Sequence, residues 1–305
     1  MIAKFFNKTK PINTLIELVF LIVIYTIATF KLVEYDLNFQ FILERTVIFV
    51  LLLFTVFAVN FIIRKNGLTK NNSYTLLLFI LCITIFPFSI INNILLITHF
   101  FLLLAYRRIY SLRTGKDTKE KLFDSGFWIG IATLIYPWSF AYMVLIYMAI
   151  YIFNKRTFRN VLIPLIGFFT PILLYGVYLL AMDDFNNFQL HLKYSFQFLN
   201  YNSLKLVIPI ALILGYLLWV IFPTTAKIIA VNNEFRTSWF LLLVHLLIGI
   251  LIIIPSPVKD GSEFLFLFFP ASIILANYIQ IIEERWFKEV FLYLFLLIAI
   301  IPFVI

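Results

Sequence analysis

The chain has 305 residues, of which 63% are hydrophobic and 13% charged, and its mean hydropathy is +1.02. Soluble domains carry about a quarter charged residues, so this composition excludes an ordinary water-soluble globule. The net charge of +9 does not indicate nucleic-acid binding, because the basic residues lie in short clusters between apolar runs, where they set membrane topology.

Eleven apolar segments follow one another along the chain, each near or somewhat below the ~20 residues that a bilayer crossing needs. They are residues 14–31, 46–63, 74–91, 93–107, 123–137, 139–153, 160–182, 205–222, 238–254, 263–281 and 290–305. The pairs that meet at Asn92–Asn93 and around Pro137 are joined so tightly that each is either two spans or one broken or re-entrant element. The sequence predicts an all-α, polytopic transmembrane helical bundle of about 11 spans.

We expect one transmembrane domain over residues 1–305, with spans one to seven in 1–182, an outer loop at 183–204 and spans eight to eleven in 205–305. If the N-terminus is cytoplasmic, 19 of the 24 Lys and Arg residues fall in inner segments and five in outer ones. Basic residues favour the cytoplasmic ends of spans. We therefore predict a multi-pass protein of a bacterial inner membrane, with the N-terminus inside and the C-terminus outside.

The same orientation collects acids on the outer face. Glu34, Asp36 and Glu44 lie in the first outer loop, and Asp260 and Glu263 lie in the fifth. The longest inner loop, RRIYSLRTGKDTKEK, is basic, and we expect it to contact anionic lipid headgroups nonspecifically.

Ionisable residues inside a membrane are functional candidates, because a polar group in hydrocarbon is costly. Glu17 lies about one turn into the first span. It either pairs with a basic neighbour or with Asn13, or it forms a proton or substrate site. His99, His191 and His245 lie on separate segments without metal-ligand spacing, so we expect no metal site. For His245 we predict a hydrogen bond between helices.

Other cofactor chemistry lacks its usual signals. The chain contains no GxxxxGK[ST], GxGxxG or GxSxG motif, and these geometries require glycine at fixed places. Cys82 is the only cysteine, which excludes an internal disulfide and a cysteine-based metal site. We therefore expect no cofactor.

Three proline corners, FPFS (86–89), YPWS (136–139) and IPSP (254–257), fall at the predicted outer surface. They indicate either a shaped outer vestibule or simple turns that cap helices at the interface. Proline removes a backbone donor and bends or ends a helix, so both readings fit the pattern.

The stretch LAMDDFNNFQLHLKYSFQFLNYNS (180–203) is the longest polar interruption in the C-terminal half. Its aromatic residues are typical of a belt at the membrane interface. Alternatively, it forms a lip that grips a lipid-borne substrate, whose phosphate or sugar would contact Asp183, Asp184, His191 or Lys193.

Two stretches, FPFSIINNILLITHFFLLLAYRRIY and GFWIGIATLIYPWSFAYMVLIYMAIYIFNKRTFRNVLIPLIGFFTPILLYGVYLL, resemble the membrane core of GT-C glycosyltransferases, which use polyprenyl-phosphate sugar donors. The resemblance is one of topology and covers about a third of the chain, residues 74–182. It implies a catalytic acid in the first outer loop, KLVEYDLNFQFILER, where Glu34 and Asp36 are the candidates. Asp36 would be the general base that deprotonates an acceptor hydroxyl.

The entire chain also resembles an uncharacterised family of multi-pass inner-membrane proteins of Bacteroidota, which implies no established activity. Three functions stay open. The first is a GT-C-like transferase, or a degenerate relative, acting on polyprenyl-linked sugar at the outer leaflet. The second is a noncatalytic subunit or scaffold of a cell-envelope complex, and the third is a lipid or small-molecule transporter. The expected partners are membrane lipids, a polyprenyl-phosphate sugar and a membrane-protein complex, but no nucleic acid.

Overall fold

A computed structural model of the chain describes residues 2–33, 38–183, 194–196, 201, 203–231 and 233–304. Within these ranges the chain is helical and has no strand, which confirms the predicted all-α, polytopic helical bundle. The helices are α1 (Ile2–Phe6), α2 (Pro11–Leu32), α3 (Phe39–Asn66), α4 (Tyr74–Ile85), α5 (Phe88–Ile91), α6 (Asn93–Ser111), α7 (Thr118–Ile135), α8 (Met143–Ile152), α9 (Phe158–Ala181), α10 (Leu204–Val231), α11 (Asn233–Ile253), α12 (Leu265–Ile281) and α13 (Arg285–Val304).

Eight helical stretches in the described ranges are long and apolar enough to cross a membrane. They are Pro11–Leu32, Phe39–Asn66, Asn93–Thr114, Phe158–Ala181, Leu204–Ala230, Phe235–Ile253, Ser262–Ile281 and Arg285–Phe303. The segment predicted at 74–91 divides into the 12-residue α4 and the four-residue α5. The segment at 139–153 is a short 3₁₀ turn followed by α8, and α7 carries four charged residues near its start. The protein is an integral, multi-pass membrane protein.

The chain divides into two compact units, each assembled from separate stretches. Unit 1 comprises Met1–Leu96, Gln197–Arg236 and Val258–Ile305, and unit 2 comprises Ile97–Phe196 and Thr237–Pro257. Each unit therefore combines stretches from both halves of the sequence.

Helices α4 and α12 form the centre of unit 1. All of α4 is buried, and α12 is buried from Leu265 to Ile279. A helix that is apolar on every face has to be surrounded by protein or lipid, and here α10 and α13 pack against this pair. Phe79 of α4 meets Phe268 of α12 edge to face, with ring centroids 6.5 Å apart.

Segments predicted to lie on the cytoplasmic side meet at one end of unit 1. The Tyr74 hydroxyl donates to the Ala3 carbonyl at 2.6 Å. The Asn277 amide, near the end of α12, donates to the Leu68 carbonyl at 3.0 Å. These bonds join the start of the chain, the connection between α3 and α4, and the C-terminal part of α12. The predicted alternation of spans places all of these segments on one side of the membrane, in agreement with their contacts. Which side of the membrane this is stays a prediction.

In unit 2, α7 and α9 approach so closely that their backbones touch through glycines. A Cβ atom at Gly126 would lie 2.2 Å from the Pro164 carbonyl oxygen, and one at Gly130 would lie 2.4 Å from that of Phe168. Gly167 of α9 approaches the backbone of α7 equally closely. Small residues at such crossings let membrane helices pack by van der Waals contact, because lipid provides no hydrophobic drive for association.

Two of the predicted proline corners meet at one end of unit 2. The Tyr136 hydroxyl of YPWS donates to the Ser256 hydroxyl of IPSP at 2.9 Å. The amide of Ser195, from the predicted fourth outer loop, donates to the Pro255 carbonyl at 3.1 Å. These segments were all predicted to lie on the outer face, and they do share one end of this unit.

We expect Gly130→Ala to reduce the free energy of unfolding by roughly 1–3 kcal/mol, because the added methyl group forces α7 and α9 apart. Gly215→Ala is the matched control, since a Cβ atom there meets nothing within 4 Å and alanine favours helix. Unfolding of detergent-solubilised protein, followed by tryptophan fluorescence, compares the two. Equal stability of both variants would show that the glycine contact contributes nothing.

Cysteine labelling in intact cells tests the orientation. Lys116 and Lys205 are both exposed, and we expect Lys205→Cys to react with a membrane-impermeant maleimide, whereas Lys116→Cys reacts only after the cells are permeabilised. Native Cys82 is fully buried and serves as the unlabelled background. Labelling of Lys116→Cys in intact cells would reverse the predicted topology.

Candidate functional site

Polar residues form a nearly continuous chain at the predicted outer end of unit 1. This outer polar chain connects the start of α3, the corner between α5 and α6, and the segment that leads into α12. Its members are Glu44, Arg45, Asn92, Asn93, Tyr201, Lys259, Asp260, Ser262 and Glu263. We take it as the candidate site, because it brings carboxylates from the first and fifth predicted outer loops into one unit.

Its first part holds the outer end of α3. One carboxylate oxygen of Glu44 accepts from the Arg45 guanidinium at 2.9 Å and from the Asn93 amide at 2.7 Å. The Tyr25 hydroxyl of α2 donates to the Arg45 carbonyl at 2.6 Å. Asn38 caps α3 by accepting from the Phe41 amide at 2.8 Å, as short polar side chains at this position commonly do. The Tyr25 hydrogen bond thereby joins α2 to the first part of α3.

Its second part joins the Asn92–Asn93 corner to the loop before α12. The Asn92 amide donates to the Ser262 hydroxyl at 3.3 Å, and Ser262 in turn donates to the Asp260 carboxylate at 2.5 Å. Between them, Gly261 has a φ of 97°, and a Cβ atom there would lie 2.8 Å from the Phe86 ring. Only glycine suits both the left-handed backbone and this close approach.

Glu263, a member of the outer polar chain, is fully buried. Its carboxylate accepts from the Tyr201 hydroxyl and, at 3.0 Å, from the Gly261 amide. Lys259 is only 4% exposed, and its ammonium lies 5.7 Å from the centre of the Tyr201 ring. Burial lowers the pKa of Lys259, and the negative charge of Glu263 opposes that shift. A buried acid can persist here because hydrogen bonds and a cation compensate for its lost hydration.

The outer polar chain offers acceptors and one buried cation, which suit hydrogen bonding to hydroxyl groups and pairing with an anion. Among the described residues, no three His, Cys, Asp or Glu side chains lie close enough together to hold a metal ion. Sequence reasoning recognised Asp260 and Glu263 only as outer acids. Two sequence features indicate the outer polar chain. One is the pair of adjacent asparagines in an apolar stretch, and the other is the DGSE run after a proline corner.

Of the predicted site residues, the structure describes Asp183 alone. Asp183 follows α9 in unit 2 with a φ of 55°, and its amide donates to the Leu180 carbonyl at 3.2 Å. Its side chain is exposed. Glu34, Asp36, Asp184, His191 and Lys193 lie outside the described residues. The predicted meeting of these groups at one substrate therefore stays a prediction.

Two histidines in unit 2 form a closed cluster with three tyrosines. His99, Tyr106, Tyr110, Tyr142 and His245 are all essentially inaccessible. The Tyr110 hydroxyl and His245 Nδ1 are 3.0 Å apart, which confirms the predicted hydrogen bond between helices, here α6 and α11. The ring centres of Tyr106 and His245 are 4.2 Å apart. Such a buried polar cluster fixes how helices pack.

Comparison with known proteins identifies one family. The model of a family of unknown function, DUF6427, matches residues 11–305. No curated protein and no solved structure gives a significant match.

We expect Tyr201→Phe to reduce the free energy of unfolding by roughly 1–3 kcal/mol, because it removes a hydrogen bond from a fully buried carboxylate and leaves the ring in place. Tyr194→Phe is the control, since Tyr194 is 66% exposed. Thermal unfolding in detergent compares the two. If Tyr201→Phe unfolds at the same temperature as Tyr194→Phe, the hydrogen bond to Glu263 makes no net contribution.

Proposed function

The chain belongs to the family of unknown function DUF6427, and for it we propose a GT-C-like transferase activity at the outer leaflet of a bacterial inner membrane. The donor is a sugar carried on polyprenyl phosphate, and the acceptor presents a hydroxyl group. Asp36 takes the proton of the acceptor as its oxygen attacks the sugar, and polyprenyl phosphate leaves.

The observation that carries this proposal is the contact between the two helices that flank residues 34–37. Residues 34–37 connect α2 to α3, and these two helices are joined by the bond between Tyr25 and Arg45. The cap at Asn38 fixes where α3 begins. Because Asp36 lies in the sequence between these two helices, we propose it as the general base.

The order of helices and corners gives further support. In unit 1 the FPFS corner packs on the segment that leads into α12, where the Phe86 and Phe264 rings stack with their centres 4.9 Å apart. A rigid corner beside the outer polar chain fits the surface at which the resemblance to GT-C enzymes places the substrate. From the sequence alone, we also propose that Asp183, Asp184, His191 and Lys193 contact the sugar or phosphate.

Purified protein in proteoliposomes tests the activity with a polyprenyl-phosphate sugar and a lipid hydroxyl acceptor. We expect Asp36→Asn to reduce the transfer rate by about 10²–10⁴-fold, the range for loss of a general base, and Glu34→Gln to reduce it less. Glu120→Gln, an exposed acid at the predicted inner end, is the matched control. Full activity of Asp36→Asn would exclude its role as the base.

One observation favours a second function, a noncatalytic subunit of a cell-envelope complex. Each of the two polar clusters contains hydrogen bonds between its own residues, as in a structural framework: Tyr201 and Gly261 donate to Glu263 in the outer polar chain, and the Tyr110 hydroxyl lies 3.0 Å from His245 Nδ1 in the histidine cluster. This function predicts no transfer by the unaltered protein, copurification with a specific membrane partner, and no loss of cellular function when the outer acids become alanine.

A further inference from the structure

At the predicted inner end of unit 1, a buried acid lies between two cavities of opposite character. Glu17, in the second turn of α2, is only 1% exposed. Among the described residues, neither of its carboxylate oxygens has a hydrogen-bond partner. The amide of neighbouring Asn13 donates instead to the carbonyls of Lys8 and Phe5, at 2.8 and 3.2 Å, and to Ser73. The expected pairing of Glu17 with Asn13 is therefore not formed.

The first cavity is polar and has a volume of about 180 Å³. It extends from Glu17 to the ends of α3 and α4, and its lining includes Thr14, Asn60, Arg64 and Lys70. Arg64 and Lys70 are exposed, and Arg64 interacts electrostatically with the Glu17 carboxyl. At about 30 Å³ per water molecule, the cavity holds the equivalent of about six waters. It suits a small polar headgroup.

The second cavity is an apolar groove of about 480 Å³ on the other side of Glu17. It is formed by α1, α2, α4 and α13, with Phe5, Ile16, Phe20, Ile80 and Leu296 among its lining residues. Apart from Glu17, every residue that lines it is apolar. A groove of this kind suits a hydrocarbon chain.

We propose that Glu17 marks a binding site for an anionic lysophospholipid, with the acyl chain in the apolar groove and the phosphate beside Arg64 and Lys70. Because Glu17 lies where groove and polar cavity meet, it contacts the junction between the chain and the headgroup. An acceptor at that position selects a ligand with a hydroxyl at the junction. The site lies at the other end of unit 1 from the outer polar chain and does not depend on the transferase proposal.

We choose this ligand because of the chemistry of three features: the exposed cations, the Glu17 carboxylate and the apolar groove. Exposed cations attract a phosphate and hold it through charge-assisted hydrogen bonds. An unpartnered buried carboxylate needs a donor, and an ionisable residue within a membrane span is a candidate functional site. A ligand with phosphate at one end, hydroxyl in the middle and hydrocarbon at the other matches the order of cations, acid and groove.

Two ligands that differ in one group test the role of Glu17. Protein in nanodiscs is titrated with 1-oleoyl-lysophosphatidic acid, which has the junction hydroxyl, and with 3-(oleoyloxy)propyl phosphate, which is the same molecule without that hydroxyl, and binding is measured by native mass spectrometry. We expect the unaltered protein to bind the first about tenfold more tightly, and Glu17→Leu to bind both alike. Equal binding of the two ligands by the unaltered protein would overturn the proposal.

Variants of the cations and the groove locate the ligand. We expect Arg64→Ala to weaken binding of lysophosphatidic acid about tenfold or more, whereas Lys65→Ala, next to it but outside the cavity, changes it less than twofold. Ile16→Trp fills the groove and blocks binding, whereas Val19→Trp, exposed on the same helix, does not. Unchanged binding in Arg64→Ala and Ile16→Trp, or occupation of the groove by a second copy of the chain, would refute the site.

Thermal unfolding without ligand separates a binding role of Glu17 from a structural one. Because its carboxylate has no hydrogen-bond partner, we expect Glu17→Leu to raise the Tm of the ligand-free protein while it abolishes the preference for the hydroxyl. A lower Tm together with an unchanged ligand preference would show that Glu17 serves the fold and would overturn the proposal. The ligand pair on the unaltered protein remains decisive if a variant does not fold.

Discussion

Hydrocarbon cannot hydrogen-bond, so each polar group within a membrane span has to find its partner inside the protein or face water. This constraint explains most of the polar contacts in both units. In unit 1, the fully buried Glu263 accepts from Tyr201 and Gly261, and Asn277 donates to Leu68. In unit 2, His245 pairs with Tyr110. The bonds of Tyr201, Asn277 and Tyr110 join segments that are distant in the sequence, so pairing these polar groups also fixes the packing.

Glu17 departs from this pattern. It is as deeply buried as Glu263, yet its carboxylate has no hydrogen-bond partner in the part of the chain that the structure describes, and it lines both a polar cavity and an apolar groove. An acid that serves only to join helices would be expected to have its donor in the protein. Glu263 has hydrogen-bond donors in the protein, whereas Glu17 has none among the described residues. This contrast supports our proposal that a ligand binds at the predicted inner end of unit 1.

The residues of the outer polar chain were recognisable in the sequence, but their contacts with one another were not. The Asn92–Asn93 corner and the acids at 260 and 263 were visible as interruptions of apolar stretches, but their connection through Ser262 depends on folding between distant segments. The GFWIG motif of α7 likewise has the spacing of a close helix contact. Its partner, the region around Gly167 of α9, becomes clear only when the two helices are packed together.

The amino-acid sequence by itself determined that the protein lies in a membrane, its all-α fold class and the expected direction of the spans. Hydropathy and the placement of Lys and Arg indicate these properties because they act locally along the chain. The sequence could not decide which helices lie at the centre, since the enclosed α12 and the more exposed α10 are similarly apolar. Tertiary structure decided that α4 and α12 are enclosed by protein. It also decided that Glu263 receives hydrogen bonds whereas Glu17 is left available to a ligand, because such donors can come from distant parts of the chain.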